Sequence, residues 1–201
     1  MPLGIHVIAP MLATFRKQHP RVFVDLRLSD RYADIVEQGI DIALRIGDLA
    51  DSRLLSRKLA KQTLCCFASP AYLSEHGRPE TPSNLANHDT VALRFQSSGQ
   101  VLHWPFQTRG QTIQIMPTSA ITVDASDALI SALLSGAGIG MTSTLLAAPH
   151  VEQGTLIPVL EAYSAERRAI TAVWPESRRN SPAVRAFLEV LTARFQSSGV
   201  G

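Results

Sequence analysis

Residues 28–49, LSDRYADIVEQGIDIALRIGDL, limit the possible fold more than any other stretch of this chain. Just before it, Val22, Val24, Leu26 and Leu28 alternate with Phe23, Asp25 and Arg27, which predicts a strand over 22–28. Tyr32, Ile35 and Val36 then follow at helical spacing. Gly39 stands where a helix ends most cheaply in a left-handed residue. Residues 41–46 form a second short apolar run, punctuated by Gly47 and Asp48. Strand, helix and strand in this order predict a βαβ unit. Both strands of such a unit point the same way, and ligands bind beyond their carboxyl ends. Spacing alone therefore nominates Ser29, Asp30, Gly47 and Asp48 as binding positions.

The rest of the chain alternates in the same manner. Ile5, Ile8, Leu12 and Phe15 mark one helical face that stops at His19-Pro20, with Pro10 in its first turn or at a kink. Residues 54–68 are predicted to be extended and end in the apolar run Leu64-Cys65-Cys66-Phe67. Short helices are predicted at 71–76, stopped by Gly77, and after Thr81-Pro82, a cap followed by a first-turn proline. Residues 90–95 and 118–123 are predicted strands. Residues 102–107 and 111–115 flank Thr108-Arg109-Gly110 as a hairpin. Asp124, Ser126 and Asp127 crowd the start of a helix whose apolar face is Leu129, Ile130, Leu133 and Leu134. A strand at 139–142, a helix interrupted by Pro149, extended segments at 156–160 and 169–174, and a closing helix over 181–195 complete the pattern. Such alternation specifies an α/β fold with largely parallel sheets.

Composition narrows the function. The chain has 201 residues, enough for one large domain or two small lobes. Its net charge of +2 is too small to argue for nucleic acid or an anionic membrane. No apolar run is long enough to span a bilayer, and MPLGIHVIAP lacks the basic and small-residue marks of a secretory signal. The two cysteines, Cys65 and Cys66, are adjacent and on a strand would face opposite ways, so they read as packed thiols in a reducing cytoplasm.

No catalytic set is evident. Gly136-Ala-Gly-Ile-Gly140 has the glycines of a dinucleotide loop, but it follows a helix and precedes a strand, the reverse of what a phosphate loop needs. The six histidines show no metal-ligand spacing. His88-Asp89 lies near Ser83, yet there is no nucleophile elbow. Arg167-Arg168 and Arg178-Arg179 read as solvated loop charges. The chain is therefore expected to be no enzyme and to carry neither metal nor cofactor.

Three phrases carry a resemblance: LSDRYADIVEQGIDIALRIGDLADSRLLSRKLA, CCFASPAYLSEHGRPETPSNLANHD, and DALISALLSGAGIGMTSTLLAAPHVEQGTLIPVL, with PAVRAFLEVLTARF at the end. Together they resemble the effector-binding domain of LysR-type transcriptional regulators over essentially the whole chain. That resemblance implies a two-lobe, type 2 periplasmic-binding-protein-like fold with two crossover strands. It implies a first lobe of residues 1–63 and 170–201, a second of 64–169, and a small-molecule effector in the cleft between them. Homodimers or tetramers are expected, in the cytoplasm. An exported solute-binding protein of the same fold is the alternative. The chain departs from the family pattern in two ways. Nothing in it reads as the family's helix-turn-helix, so this chain alone is expected not to bind specific DNA. The family also places a strand ahead of the segment matching Pro2-Leu3-Gly4, inside the first sheet, and here the chain starts just after it. A first lobe with an open sheet, marginal stability or a strand supplied from elsewhere is therefore expected.

The effector contacts expected from residues and resemblance together are Ser29, Asp30, Ile46 and Gly47 from the first lobe, with 2–4 at the start of the first helix. From the second lobe they are Phe95, Gln96, Ser97, Ser98 and Ser126. Free N–H groups at the helix start near 125–127 suit a carboxylate. Asp30 and Asp127 would repel one, so the effector's charge stays open. Ser126 and Asp127 are also candidate helix caps, Phe95 a core residue, and Arg45 a sheet-edge ion pair. Val7 and Met11 are expected to be spare apolar residues on the first helix, available to a neighbouring subunit.

Overall fold

The computed structural model describes residues 2–29, 34–47 and 53–197, without the side chains of 166–168 and 197. Two compact units are present: Met1–Gln62 with Arg167–Gly201, and Thr63–Glu166. Two strands pass from one unit into the other, β2 (Leu54–Ala68) and β9 (Ala165–Pro175).

In the first unit, α1 (Ala9–Gln18) follows a π-helical turn, Gly4–Ile8. Pro10 has no N–H to give, and the wider turn just ahead of it is where the backbone accommodates that loss. Phe15 is buried and meets the edge of Phe187 at 5.1 Å, which joins α1 to α5 (Pro182–Ser197). Val184 and Leu188 of α5 pack on Ala172 of β9, with Ile42, Leu44, Leu59 and Trp174 around them. β1 (Ala43–Ile46) pairs antiparallel with β9, in the register Ala43 to Val173 through Ile46 to Ile170. Val7 and Met11 are 4% and 8% exposed, so they belong to the unit's interior and are not spare contact residues.

The predicted βαβ unit is corrected here. Residues 22–28 form neither a helix nor a ladder among the described residues. A strand exists only through a partner, and the alternating apolar pattern shows which face a partner or core would cover. Here that face is largely uncovered: Leu26 and Leu28 are both 37% exposed, and Phe23 on the other face is 88% exposed. The segment is held instead by Arg16, whose guanidinium donates to the Pro20 and Val22 carbonyls. In place of the predicted helix, residues 35–39 form a turn. Asp34 Oδ1 accepts the Val36 and Glu37 N–H groups at 2.9 and 3.1 Å. Gly39 ends it at φ +63°, as its position predicts. Asp30, Tyr32 and Asp48 lie outside the described residues.

In the second unit, β2 pairs antiparallel with β7 (Ile139–Ser143) and with β8 (Ile157–Val159). β7 pairs parallel with β3 (Thr90–Leu93), and β3 parallel with β6 (Ile121–Val123). The run Leu64-Cys65-Cys66-Phe67 is buried on both faces. Cys66 faces a core with Tyr72, Trp104, Phe106 and Met141, whereas Cys65 and Phe67 face Leu129, Leu133 and Leu156. This is the opposite-face placement predicted for neighbouring residues on a strand. α3 (Ser126–Leu134) packs on β3 and β7, and α4 (Thr144–Glu152) on β7. Covering the first face are α2 (Pro70–His76) and a hairpin, β4 (Trp104–Thr108) with β5 (Gln111–Ile115). The hairpin turn is Arg109-Gly110, at φ +47° and +78°, the left-handed pair that a two-residue loop needs to match the strand twist.

The glycines after α3 are structural. Gly138, at φ +133°, lies so close to the Asp89 carbonyl that a Cβ could not fit. A Cβ on Gly140 would come within 2.9 Å of Leu129 and 3.0 Å of Leu133. These residues set the seat of α3 on β7; Gly138 precedes β7 and Gly140 lies within it, so the phrase leads from a helix into a strand, as the order of the motif predicts.

Candidate functional site

Parallel strands with matching ends define the best-formed candidate site, which belongs to the second unit. Leu93 pairs with Val123 at the carboxyl ends of β3 and β6. One residue on, the Arg94 N–H donates to the Val123 carbonyl at 2.7 Å. The loops that leave these strands, 94–100 and 124–126, therefore start side by side. β7 runs parallel on the other flank of β3 and ends at Ser143, where α4 begins. In a parallel sheet this is the edge at which ligands bind, because loops and helix N-termini converge there with unpaired N–H groups.

The loop after β3 is closed by its own backbone. Gly99 N–H donates to Phe95 O at 2.7 Å, and Phe95 N–H to Gln100 O at 2.9 Å. The Ser98 hydroxyl accepts the Gln100 N–H at 3.3 Å. Gln96, Ser97 and Ser98 are exposed at its tip, and Phe95 is half-buried against the core of Trp104 and Phe106. Phe95 thus anchors the loop and the polar trio presents itself to solvent. Ser126 is the first residue of α3 and half-buried. The cap position is Ala125, which has no side chain able to cap. Ser126 is therefore not the N-cap that its spacing allowed, and the first turn of α3 has no side-chain cap bond.

Two further residues belong to this edge. Arg94 is exposed and places its guanidinium on the Gly99 carbonyl at 3.1 Å, which adds a cation to the loop. Ser143 caps α4 by accepting the Leu145 N–H at 3.3 Å. Only strand pairing shows that these residues lie at the same edge.

In the first unit, Ile46 ends β1 and is 38% exposed. Gly47 follows at φ +119° and donates its N–H to Ala169 O at 3.3 Å. Ser29 is exposed just after residues 22–28, and Asp30 is outside the described residues. Leu28 rests its side chain against Gly4, where any side chain would collide with it. That contact holds the 22–29 segment against the first helical turn. Arg45 is half-buried opposite Thr171.

Among the described residues, the other chemistry that the sequence hinted at is weak. Burial lifts the Cys65 and Cys66 thiols above their usual value, so neither is poised as a nucleophile. Among the described residues no group of three or more His, Cys, Asp or Glu side chains could hold a metal. No helix among them is long and apolar enough to cross a membrane. Arg178 and Arg179 pair with Asp41 at 2.6 Å and Glu176 at 3.0 Å, all on exposed side chains.

With this geometry in view, comparison with known proteins is decisive. The LysR substrate binding domain family matches residues 1–196. The chain belongs to that family. A HTH-type transcriptional regulator of Xanthomonas campestris is 35% identical over 96% of this chain and 57% of its own length. The HTH-type transcriptional regulator CrgA of Neisseria meningitidis is 34% identical over 100% of this chain and 67% of its own length. The solved CrgA regulatory domain superposes with a TM-score of 0.84 at 31% identity, covering 97% of this chain and 95% of that one. This LysR substrate-binding domain thus spans 57–67% of the length of the two curated relatives. Its mixed α/β architecture is the periplasmic-binding-protein-like fold of the LysR regulatory domains, as the resemblance implied. The kinship with regulators does not favour an exported solute-binding protein.

Proposed function

We propose that this LysR substrate-binding domain is the sensing part of a cytoplasmic transcriptional regulator, with a small molecule held at the strand-end loops. The observation that carries the reading is the shared carboxyl edge of β6, β3 and β7. Gln96, Ser97 and Ser98 supply side-chain donors and acceptors there, Phe95 an apolar wall, and Ser126 a hydroxyl at a helix start whose N–H groups are oriented outward. Arg94 adds positive charge, and Asp127 in the first turn of α3 opposes it. The effector contributions expected of Ser29, Asp30, Ile46 and Gly47 belong to the same proposal.

In the whole regulator, effector binding shifts the arrangement of a homo-oligomer and so alters how separate DNA-binding domains are presented. A ligand can do this only through different affinities for the two arrangements. The reading involves no chemical step and no cofactor.

A thermal-shift screen of small carboxylates and aromatic acids tests it. A ligand at 100 times its dissociation constant is expected to stabilise the chain by about 2.7 kcal/mol. Gln96→Ala and Ser126→Ala should each weaken that ligand by about fivefold, the worth of one hydrogen bond of about 1 kcal/mol. Both side chains are outside the buried core, so the ligand-free melting temperature should hold. A ligand bound equally well by both variants would remove these loops from the site.

A further inference from the structure

We propose that Tyr72, His76 and His88 form a proton-responsive latch that ties α2 to the turn entering β3 and loosens under mildly acidic conditions. The proposal concerns the body of the second unit and is independent of which loop holds an effector.

Tyr72 is buried at 3% exposure, and three groups converge on its hydroxyl. The Asp89 N–H donates to it at 2.9 Å. The phenol has one proton to give, and its nearer acceptor is His88 Nδ1 at 3.2 Å, against the Asp89 carbonyl at 3.5 Å. Donation to His88 requires a bare Nδ1, so the latch as built holds His88 neutral with its proton on Nε2. His76 lies over the same ring, with centroids 4.4 Å apart and planes 9° from parallel. Its Nδ1 faces the Tyr72 carbonyl at 3.2 Å, which can only accept, so His76 carries its proton on Nδ1. One phenol therefore sits between two imidazoles from different segments.

Protonating His88 breaks this arrangement. Both ring nitrogens then carry hydrogen, and Nδ1–H points at a hydroxyl that must turn its own proton elsewhere. The remaining acceptor is the Asp89 carbonyl, at 3.5 Å, which is long for an O–H donor. That carbonyl already accepts the Ile139 N–H at 2.9 Å, and Gly138 is pressed against it. Acid therefore acts at the point where the entry to β3 meets the entry to β7.

The surrounding charges are few. α2 contributes Tyr72, Glu75 and His76, and the segment after it Arg78 and Glu80, both exposed. Residues 82–87, β3, β7 and the 135–138 turn contain no ionisable side chain. Burial lowers the affinity of His88 for a proton, the neighbouring His76 lowers it further, and Asp89 partly opposes both. His88 in the folded chain thus resists charging more than in the unfolded one. The unfolded chain takes up that proton first as pH falls through the ordinary value of 6.5, so stability declines from there.

Nuclear magnetic resonance of the full chain from about pH 8 to about pH 5 tests the latch. His88 should titrate below 6.5, and the Asp89 and Ile139 amides should move with the same midpoint. His88→Asn keeps an acceptor near Nδ1 and cannot charge. It should abolish both the shared midpoint and the acid decline in melting temperature. His76→Gln should move the His88 midpoint upward by removing the neighbouring imidazole that lowers it. The proposal is overturned if His88 titrates at or above 6.5, if the two amides do not follow it, or if His88→Asn keeps the wild-type acid decline.

Discussion

At the residue scale, the clearest constraint is a missing side chain. Gly138 combines a φ of +133°, which a side chain rarely adopts, with an Asp89 carbonyl oxygen that would lie 2.4 Å from any Cβ placed there. A Cβ there meets a carbonyl, not the flexible tip of a side chain, so the backbone itself must move. Gly138→Ala is expected to destabilise the chain by about 2–4 kcal/mol, measured by urea unfolding. Gly140 differs in kind. Its Cβ would meet the methyl groups of Leu129 and Leu133, which can shift by rotamer. The GAGIG phrase was legible as something other than a phosphate loop, because its place between helix and strand is a matter of order. Which glycine matters most was not legible, because Asp89 is far from it in sequence.

At the element scale, one strand pattern found its partners and one did not, among the described residues. Residues 64–67 carry no alternation at all, and they are a central strand buried on both faces between two cores. Residues 22–28 alternate well and form no ladder among the described residues. Their backbone hydrogen-bonding groups therefore have little protection from solvent. In hydrogen–deuterium exchange the amides of 23–28 should exchange within the dead time of a manual experiment, whereas those of 91–93 should be retained far longer. Slow exchange over 23–28 would show that the segment has acquired a partner strand in solution. The α3 start was read nearly right from Asp124, Ser126 and Asp127. The cap fell on Ala125, between the candidates Asp124 and Ser126, because closely spaced capping residues leave the exact boundary to packing against β3 and β7.

At the scale of the whole molecule, the two apolar cores of the second unit decide how stability responds to base. Cys65, Cys66 and Tyr72 are each held neutral by burial, with ionisation raised above the ordinary values of 9.0, 9.0 and 10.0. The unfolded chain ionises these groups first, so their neutral forms contribute stability that is present below about pH 9 and lost as pH rises above it. Melting temperature should therefore fall above pH 9, and Cys66→Ala should reduce that slope even as it lowers the melting temperature throughout. An unchanged slope in Cys66→Ala would exclude the thiol as its source.

By itself the sequence determined the α/β class, the order of most elements, the opposite faces of Cys65 and Cys66, the hairpin at Arg109-Gly110, and membership of the LysR substrate-binding family. Those are local properties: period, turn chemistry and order along the chain act over a few residues, and family phrases are themselves linear. The tertiary structure decided the rest. It gave residues 22–28 no ladder among the described residues, took Val7 and Met11 into the interior, set Arg94 and Ser126 at one parallel strand edge, and brought His88 to Tyr72. Each of these depends on which distant backbone lies alongside. Pairing and burial are relations between segments, and one segment's pattern specifies only that it needs a partner, not which one it finds.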